Sequence, residues 1–149
     1  MTDFLVLKAF NVNINPPKAP VIKEVIWMPP IPFWTKCNTD GAALGCPDQA
    51  SCAGVFRNNL ALFWGCFTLN IGQATAFQAE LLGVMQAIKI AHLKGWWNLW
   101  LETDSMMATL AFKDSSMIHW HFRNRWFNCM VLLKDMNFII THIYREGNS

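Results

Sequence analysis

Three strand-like runs stand in a row before a long helical pattern, and this order leaves few folds open. The runs cover residues 34–40, 52–57 and 60–68, and Asn58-Asn59 between the last two is a two-residue hairpin signal. Apolar residues then recur at helical spacing over residues 75–93, and Gly95 marks the end of that helix. A strand at 98–103, helices at 105–112 and 120–136, and a last strand at 138–144 follow. The order predicts an α/β domain with a mixed sheet and helices packed on it.

The domain is expected to cover residues 33–149. The whole chain has 149 residues, of which 53% are hydrophobic and 15% charged, so its composition is that of one globular domain with one core. Residues 1–32 differ because they carry the proline-rich stretches around Pro16-Pro17 and Pro29-Pro30. Proline favours extended chain, and we interpret residues 1–32 as an N-terminal extension or linker with a short apolar piece at residues 4–10.

Charge and cysteine content place the chain in a compartment but do not name a partner. The net charge of +2 is too small to indicate a nucleic-acid-binding protein by itself. Five cysteines without a C-x-x-C pair, and the lack of a secretory signal, predict free thiols in a reducing compartment. No apolar run is long enough to cross a bilayer. We therefore expect a soluble intracellular protein, nuclear or cytoplasmic, without a membrane partner.

Three acidic residues occupy positions where an unneutralised charge is costly. Asp40 closes the first strand-like run, Glu80 lies one turn into the long helix, and Asp104 ends a later strand-like run. If the helix packs across these two strands, the three carboxylates converge on one point. Carboxylate oxygens are the ligands that Mg²⁺ and Mn²⁺ prefer. Two such ions about 3.5–4 Å apart would activate a water for attack on a phosphodiester.

Each candidate residue also has a structural alternative. Asp40-Gly41 is a common turn dipeptide, Asp104-Ser105 suits a helix N-cap, and Glu80 would be harmless at a solvated helix edge. A single histidine at a strand end, such as His142, is more often structural than catalytic. The two histidines around Trp120, His119 and His121, form a metal pair only if a third ligand is found.

Four segments, in order and spacing, resemble the type-1 ribonuclease H family. The nearest resemblance is to the plant retrotransposon-derived form encoded beside a reverse transcriptase, and it covers about residues 16–149. The segments are Asn38-Thr39-Asp40-Gly41-Ala42, Ala79-Glu80-Leu81, Glu102-Thr103-Asp104-Ser105 and His142-Ile143-Tyr144-Arg145-Glu146-Gly147-Asn148, with Arg123-Asn124-Arg125-Trp126 as a further plant-type stretch.

The resemblance implies a ribonuclease H-like fold, with a mixed five-stranded sheet flanked by helices. It also implies hydrolysis of the RNA strand of RNA–DNA hybrids by four acids that bind two Mg²⁺. Asp40, Glu80 and Asp104 match three of the acids, and His142 matches a histidine that assists metal and product exchange. The fourth acid and the final helix would follow Ser149, so we expect a truncated C-terminal helix and, on that side of the sheet, exposed apolar surface.

The resemblance also assigns contacts with the nucleic acid. Gly41 and Ala42 match backbone positions beside the substrate, and Thr75 matches a phosphate-contacting threonine. Ala76 and Phe77 replace the amide side chains that often follow, so the minor-groove hydrogen bonds of those side chains are expected to be lost. The missing fourth acid and the truncated last helix leave an alternative, an impaired relative that binds nucleic acid or protein without cutting. A larger retroelement polyprotein is the implied context. Five basic residues could contact phosphates: Lys36, Arg57, Arg123, Arg125 and Arg145.

Overall fold

A computed structural model of the protein describes residues 5–7, 33–43 and 48–143. Six strands in this part of the chain form one mixed sheet: β1 (Leu5–Leu7), β2 (Thr35–Ala43), β3 (Asp48–Arg57), β4 (Phe63–Ala74), β5 (Asn98–Thr103) and β6 (Asn137–His142). Their order across the sheet is β1-β6-β5-β2-β3-β4. The pairs β2/β5 and β5/β6 are parallel, and the other pairs are antiparallel.

Three helices pack on one face of this sheet: α1 (Ala76–Lys94), α2 (Met106–Leu110) and α3 (Arg123–Leu133). Helix α1 lies on β2 and β3, α3 packs against α1, and α2 lies near β5 and β6. The predicted mixed sheet with flanking helices is therefore confirmed. Strand β1 adds a short edge strand within the segment interpreted as a linker, while residues 8–32 and 144–149 lie outside the described part of the chain. Among the described helices, none is both long and apolar enough to span a membrane.

Helix α1 follows the sequence pattern closely because both of its ends are capped. The Thr75 hydroxyl accepts a hydrogen bond from the Gln78 backbone N–H, and the Gln78 side chain accepts one from the Thr75 N–H. At the other end, Gly95 adopts a left-handed φ of 75°, which ends the helix as expected. Its buried face includes Val84 and Ile88, in the core between helix and sheet.

Strand β4 is where the sequence-based boundaries are wrong. Residues 60–68 were predicted as the strand, yet β4 runs from Phe63 to Ala74 and pairs with β3 along this length. The two-residue hairpin at Asn58-Asn59 is also wrong, because residues 58–62 form the loop. The Asn58 side chain accepts hydrogen bonds from the N–H groups of Leu60 and Leu62, and the positive φ falls at Ala61. Pairing with β3, not the apolar pattern of β4, sets the strand length.

The helices after β5 are shorter than predicted. Helix α2 has five residues, and the helix expected over residues 120–136 divides into a 3-10 turn, Trp120–Phe122, and α3. Strands β2 and β3 are longer than expected, whereas β5 matches its predicted bounds. Among the described cysteines, Cys37, Cys52, Cys66 and Cys129 are free thiols.

The sheet face opposite α1 is not exposed along its central strands. Side chains alternate between the two faces of a strand, and Cys37 and Leu101 belong to the core under α1. Their neighbours on the other face are nonetheless at most 1% exposed. The expectation of an exposed apolar face without a final helix is therefore wrong for these residues: Lys36, Trp100, Glu102, Ile139 and Thr141.

Candidate metal centre

Strand β2, helix α1 and the end of β5 each bring one acidic residue to the same point. Asp40 lies within β2, Glu80 near the start of α1, and Asp104 directly after β5. One oxygen atom of each carboxylate lies within 4.8 Å of the others. In the described ranges, these are the residues whose ligand atoms come close enough together to hold a metal ion. The predicted convergence of the three side chains is thus present in the structure.

Gly41 allows the helix to approach β2 this closely. A Cβ atom at Gly41 would lie 2.5 Å from the Glu80 backbone N and 2.6 Å from the Ala79 carbonyl carbon. The Gly41 N–H also donates a hydrogen bond to Glu80 Oε1. Since Asp40 and Gly41 pair with Ala53 and Cys52 in the β2/β3 ladder, the turn alternative for this dipeptide is wrong.

Asp104 reaches the cluster through the parallel pairing of β2 with β5. Thr39 is the register partner of Thr103, so the acids that follow these two residues lie at the same end of neighbouring strands. The N-cap role proposed for the Asp104-Ser105 pair belongs to Ser105, whose hydroxyl accepts a hydrogen bond from the Ala108 N–H at 3.1 Å. Asp104 is therefore not needed to cap α2.

Glu80 is the buried member of the cluster, with 8% of its surface exposed, so a solvated helix edge is excluded for it. Burial, followed by the negative charges of Asp104 and Asp40, raises the pKa of Glu80 to about 8. The hydrogen bond from Gly41 acts in the opposite direction but is the smaller effect. A bound cation would offset both the burial and the repulsion. The donor set of three carboxylates therefore suits a hard divalent ion, Mg²⁺ or Mn²⁺.

The other residues assigned by resemblance lie around this cluster. His142 ends β6 and is 5% exposed, and its Nε2 lies 3.3 Å from the backbone oxygen of Asp104. Ala42 is exposed beside Gly41. Thr75 caps α1, so its hydroxyl already has a structural role.

The histidine pair around Trp120 is not a metal site in the described part of the chain. His119 and His121 are exposed and belong to no group of three metal ligands among the described residues.

The basic residues that were expected to contact phosphates differ in their exposure. Lys36 is 1% exposed, so its assignment as a phosphate contact is wrong. Arg123 uses its Nε to donate a hydrogen bond to the Ile118 carbonyl at 3.0 Å. Arg125 lines a groove between β4, α1 and α3, and Arg145 lies outside the described residues.

A groove that the sequence did not reveal runs between β4, α1 and α3. Its larger hollow, of about 670 Å³, contains Lys89, Asn70 and Asn128. A second hollow of about 340 Å³ shares Arg125 with it. None of the described residues that line either hollow is acidic. The second hollow reaches the N-terminal end of α1 through Gln73, Ala74 and Gln78.

A buried ion pair was also missed. Lys36 Nζ lies 3.2 Å from Glu102 Oε1, and both side chains are almost fully buried. Burial lowers the pKa of Lys36 to about 8 and raises the pKa of Glu102, while the attraction between the two charges opposes both shifts. The sequence signalled only one partner: Glu102 lies inside the strand-like run 98–103, where an unpaired charge is costly, but nothing in that run points to Lys36.

The fold defines the class of protein. Ribonuclease H1 from the archaeon Halobacterium salinarum superposes with a TM-score of 0.64 at 22% identity, over 77% of this chain and 89% of that chain. LC11-RNase H1, solved in complex with an RNA/DNA hybrid, gives a TM-score of 0.64 at 18% identity, over 77% of this chain and 88% of that chain. The chain thus has the ribonuclease H fold.

Sequence comparison identifies the family. A family described as reverse transcriptase-like matches residues 38–149. An Arabidopsis thaliana protein named for ribonuclease H is 36% identical over 143 residues, or 93% of this chain. This chain spans only 22% of that relative's length. The chain belongs to the reverse transcriptase-like family, and its resemblance to plant ribonuclease H domains is confirmed.

Proposed function

We propose that this domain is an endoribonuclease that hydrolyses the RNA strand of RNA–DNA hybrids with the help of divalent metal ions. The observation that carries the proposal is the cluster of Asp40, Glu80 and Asp104, whose ligand atoms lie within 4.8 Å of one another on a ribonuclease H fold. The family match covers all three acids.

The three acids would hold the ions together. Asp104 and exposed Asp40 would supply carboxylate oxygens to Mg²⁺ or Mn²⁺, and buried Glu80 would help to hold an ion and to orient a water. When bound, two such ions activate the attacking water and stabilise the leaving oxygen of a phosphodiester. Gly41 keeps Glu80 in place through its N–H, and His142, held against the Asp104 backbone, would assist exchange at the site.

The surroundings of the cluster support a nucleic-acid substrate. Exposed Ala42 presents little side-chain bulk next to Asp40 and Gly41, and Thr75 stands at the N-terminus of α1. The groove with Lys89 and Arg125 begins beside this helix end. The cations that line this groove would attract phosphates, so the groove would receive the strand that is not cut.

The domain would act within a longer protein. The Arabidopsis relative is several times longer than this chain, which spans 22% of it, and the matched family is described as reverse transcriptase-like. A larger retroelement polyprotein is therefore the proposed context.

The decisive experiment is cleavage of an end-labelled RNA–DNA hybrid in Mg²⁺ or Mn²⁺, with Asp104→Asn as the test variant. Asp135→Asn is the matched control because Asp135 is an exposed aspartate that contacts His92, away from the cluster. We expect cutting of the RNA strand by the native chain and by the control, and none by Asp104→Asn. A version of the chain extended through the family's fourth acid is tested in parallel.

Other outcomes redirect the proposal. Cutting only by the extended version means that three carboxylates do not suffice. Salt-sensitive hybrid binding without cutting by either version supports the alternative of a binding module. Neither binding nor cutting rejects both functions.

A further inference from the structure

Lys36, Asn38 and Glu102 form a polar cluster on the sheet face opposite α1. Lys36 Nζ lies 3.2 Å from Glu102 Oε1, and the Asn38 side-chain amide donates a hydrogen bond to the same oxygen at 2.8 Å. The Lys36 ammonium also lies 4.5 Å from the centre of the Trp100 ring. The two charged side chains are 1% and 0% exposed. The cluster therefore links β2 to β5 by directional contacts between largely buried groups.

Stability alone is a weak reason for such a pair. Burying two charges costs desolvation energy, and replacing a buried ion pair by apolar residues of similar volume is often neutral or stabilising. Removing one partner is, in contrast, strongly unfavourable because the other charge is left buried and unpaired. What such a pair does provide is a penalty against every arrangement in which the two residues fail to meet. In this sheet, the arrangement in which they do meet is the observed register of β2 against β5.

The register matters because it sets the distance between two of the acids. Asn38 is the register partner of Glu102, and each of these residues precedes an acid of the cluster, Asp40 or Asp104, by two positions. A slip by one residue would turn side chains to the wrong face. A slip by two residues keeps the faces but displaces the strands by about 7 Å. That displacement exceeds the 4.8 Å within which the ligand atoms lie.

Apolar packing between the same strands specifies this register poorly. The core residues on the α1 side are Cys37, Leu99 and Leu101, and a two-residue slip that brings Cys37 opposite Leu99 would exchange one leucine for another. Hydrophobic burial is non-directional, so such an exchange has a small cost. The same slip would separate Lys36 and Asn38 from Glu102.

We propose that Lys36, Asn38 and Glu102 are positioning residues that lock the β2/β5 register and thereby hold Asp40 and Asp104 at metal-binding distance. This inference rests on the proposed function, since it concerns the ligands of the proposed metal site. The three residues touch neither substrate nor metal in this role. They act through the strands that carry the acids.

The test compares the wild type with Lys36→Met, Glu102→Gln and the double variant Lys36→Met/Glu102→Leu. Thermal unfolding is measured without metal, and Mn²⁺ affinity is measured by calorimetry and electron paramagnetic resonance well below the unfolding temperature. Lys36→Met is expected to lower the unfolding temperature, and the double variant to recover most of that loss. The double variant should still bind Mn²⁺ at least about tenfold more weakly than the wild type, as is typical when supporting residues around a metal site are removed. Its bound Mn²⁺ signal should also be broader because the ligands are less uniformly placed.

Controls separate this inference from the proposed function. Asp135→Asn breaks an exposed contact with His92 and should leave Mn²⁺ affinity unchanged. If the wild type binds Mn²⁺, Asp104→Asn does not, and the double variant binds like the wild type, then the positioning role is overturned while the metal site stands. If the wild type binds no Mn²⁺, the proposed function and the positioning role fall together. If the double variant does not fold, Glu102→Gln replaces it in the test, because glutamine keeps an oxygen for the Asn38 amide. Mn²⁺ affinity and a bound Mn²⁺ line shape equal to those of the wild type would then overturn the inference.

Discussion

The backbone N–H of Gly41 donates a hydrogen bond to the Glu80 carboxylate, although 39 positions separate the two residues in the sequence. The contact exists because α1 lies directly on β2, with no side chain between the two backbones. Gly41 thus permits the close approach of α1 to β2 and also donates a hydrogen bond to the buried carboxylate of Glu80.

Gly41→Ala is expected to destabilise the domain. The new methyl group would lie 2.5 Å from the Glu80 backbone N and 2.6 Å from the Ala79 carbonyl carbon. Because both of these atoms belong to the α1 backbone, the helix itself must move. Overpacking of this kind typically costs about 1–3 kcal/mol. Urea unfolding measures the effect, and Gly65→Ala is the matched control because a Cβ atom at Gly65 meets nothing within 4 Å. Equal losses in the two variants would contradict the close contact.

Without metal, the stability of the domain should fall as the pH rises from about 4.5 to about 8. The ordinary pKa of a glutamate is 4.5, and the fold raises the pKa of Glu80 to about 8, so in this window the folded state retains a proton that the unfolded chain releases. The free energy of unfolding then decreases by at most about 1.4 kcal/mol per pH unit. The penalty is absent below the window and fully present above it. Urea unfolding in a chelator at several pH values tests this, and Glu80→Gln should give a flatter curve; parallel curves would reject the assignment.

Asp40→Asn is expected to weaken divalent metal binding while folding is retained or improved. The substitution removes one ligand and also one of the negative charges that repel Glu80. Calorimetric titration with Mg²⁺ and thermal unfolding of the metal-free protein measure the two effects. Asp135→Asn, at an exposed aspartate, serves as the control. Unchanged metal affinity in Asp40→Asn would mean that the cluster is not the metal site.

Lys89→Gln is expected to weaken binding to an RNA–DNA hybrid and to lower the salt dependence of that binding. Lys89 lines the groove, and loss of one phosphate contact reduces the slope of log affinity against log salt by about 1. Lys94→Gln is the matched control, because Lys94 lies on the same helix but does not line the groove. Fluorescence anisotropy at several salt concentrations measures both slopes, and identical slopes would exclude the groove as the strand-binding surface.

Thr75→Ala and Thr75→Ser separate two roles of one hydroxyl. The alanine variant loses the N-cap of α1 and should be destabilised by about 1 kcal/mol, whereas serine keeps the cap. If Thr75 also contacts a phosphate, Thr75→Ala should weaken hybrid binding at a temperature where it remains folded. Hybrid binding by Thr75→Ala equal to that of the wild type would leave Thr75 with the capping role alone.

The sequence predicted those elements whose signals are local. The capped amphipathic pattern of α1 and the apolar run of β5 appear where expected, and their order was enough to place three acids near one another. Strand β4 was misplaced because most of its side chains are only partly buried or exposed, so its extent depends on pairing with β3. The loop at Asn58 was misread because the Asn58 side chain, not a positive φ at asparagine, organises the turn.

The Lys36–Glu102 pair could not be predicted from local pattern. Glu102 also contacts Asn38, which lies 64 positions away, and both contacts exist only in one register of β2 and β5, strands that β3, β4 and α1 separate in the sequence. A lysine in a strand next to apolar residues is ordinarily solvent-exposed, which is why the sequence suggested Lys36 as a phosphate contact. The groove was missed for a related reason, since its cations come from different helices, α1 and α3.

The seating of α1 on Gly41 has a consequence for how the domain opens. Glu80 can join the other two acids only while the first turn of α1 is docked, so the cluster should disappear as soon as this part of the helix detaches, even with the rest of the sheet intact. Any ion held by the cluster binds the docked state alone, and its binding energy is therefore added to the cost of that local opening. The rate of amide hydrogen exchange at the start of α1 therefore reports whether an ion is bound: exchange should be slow with an ion in the cluster and faster without one.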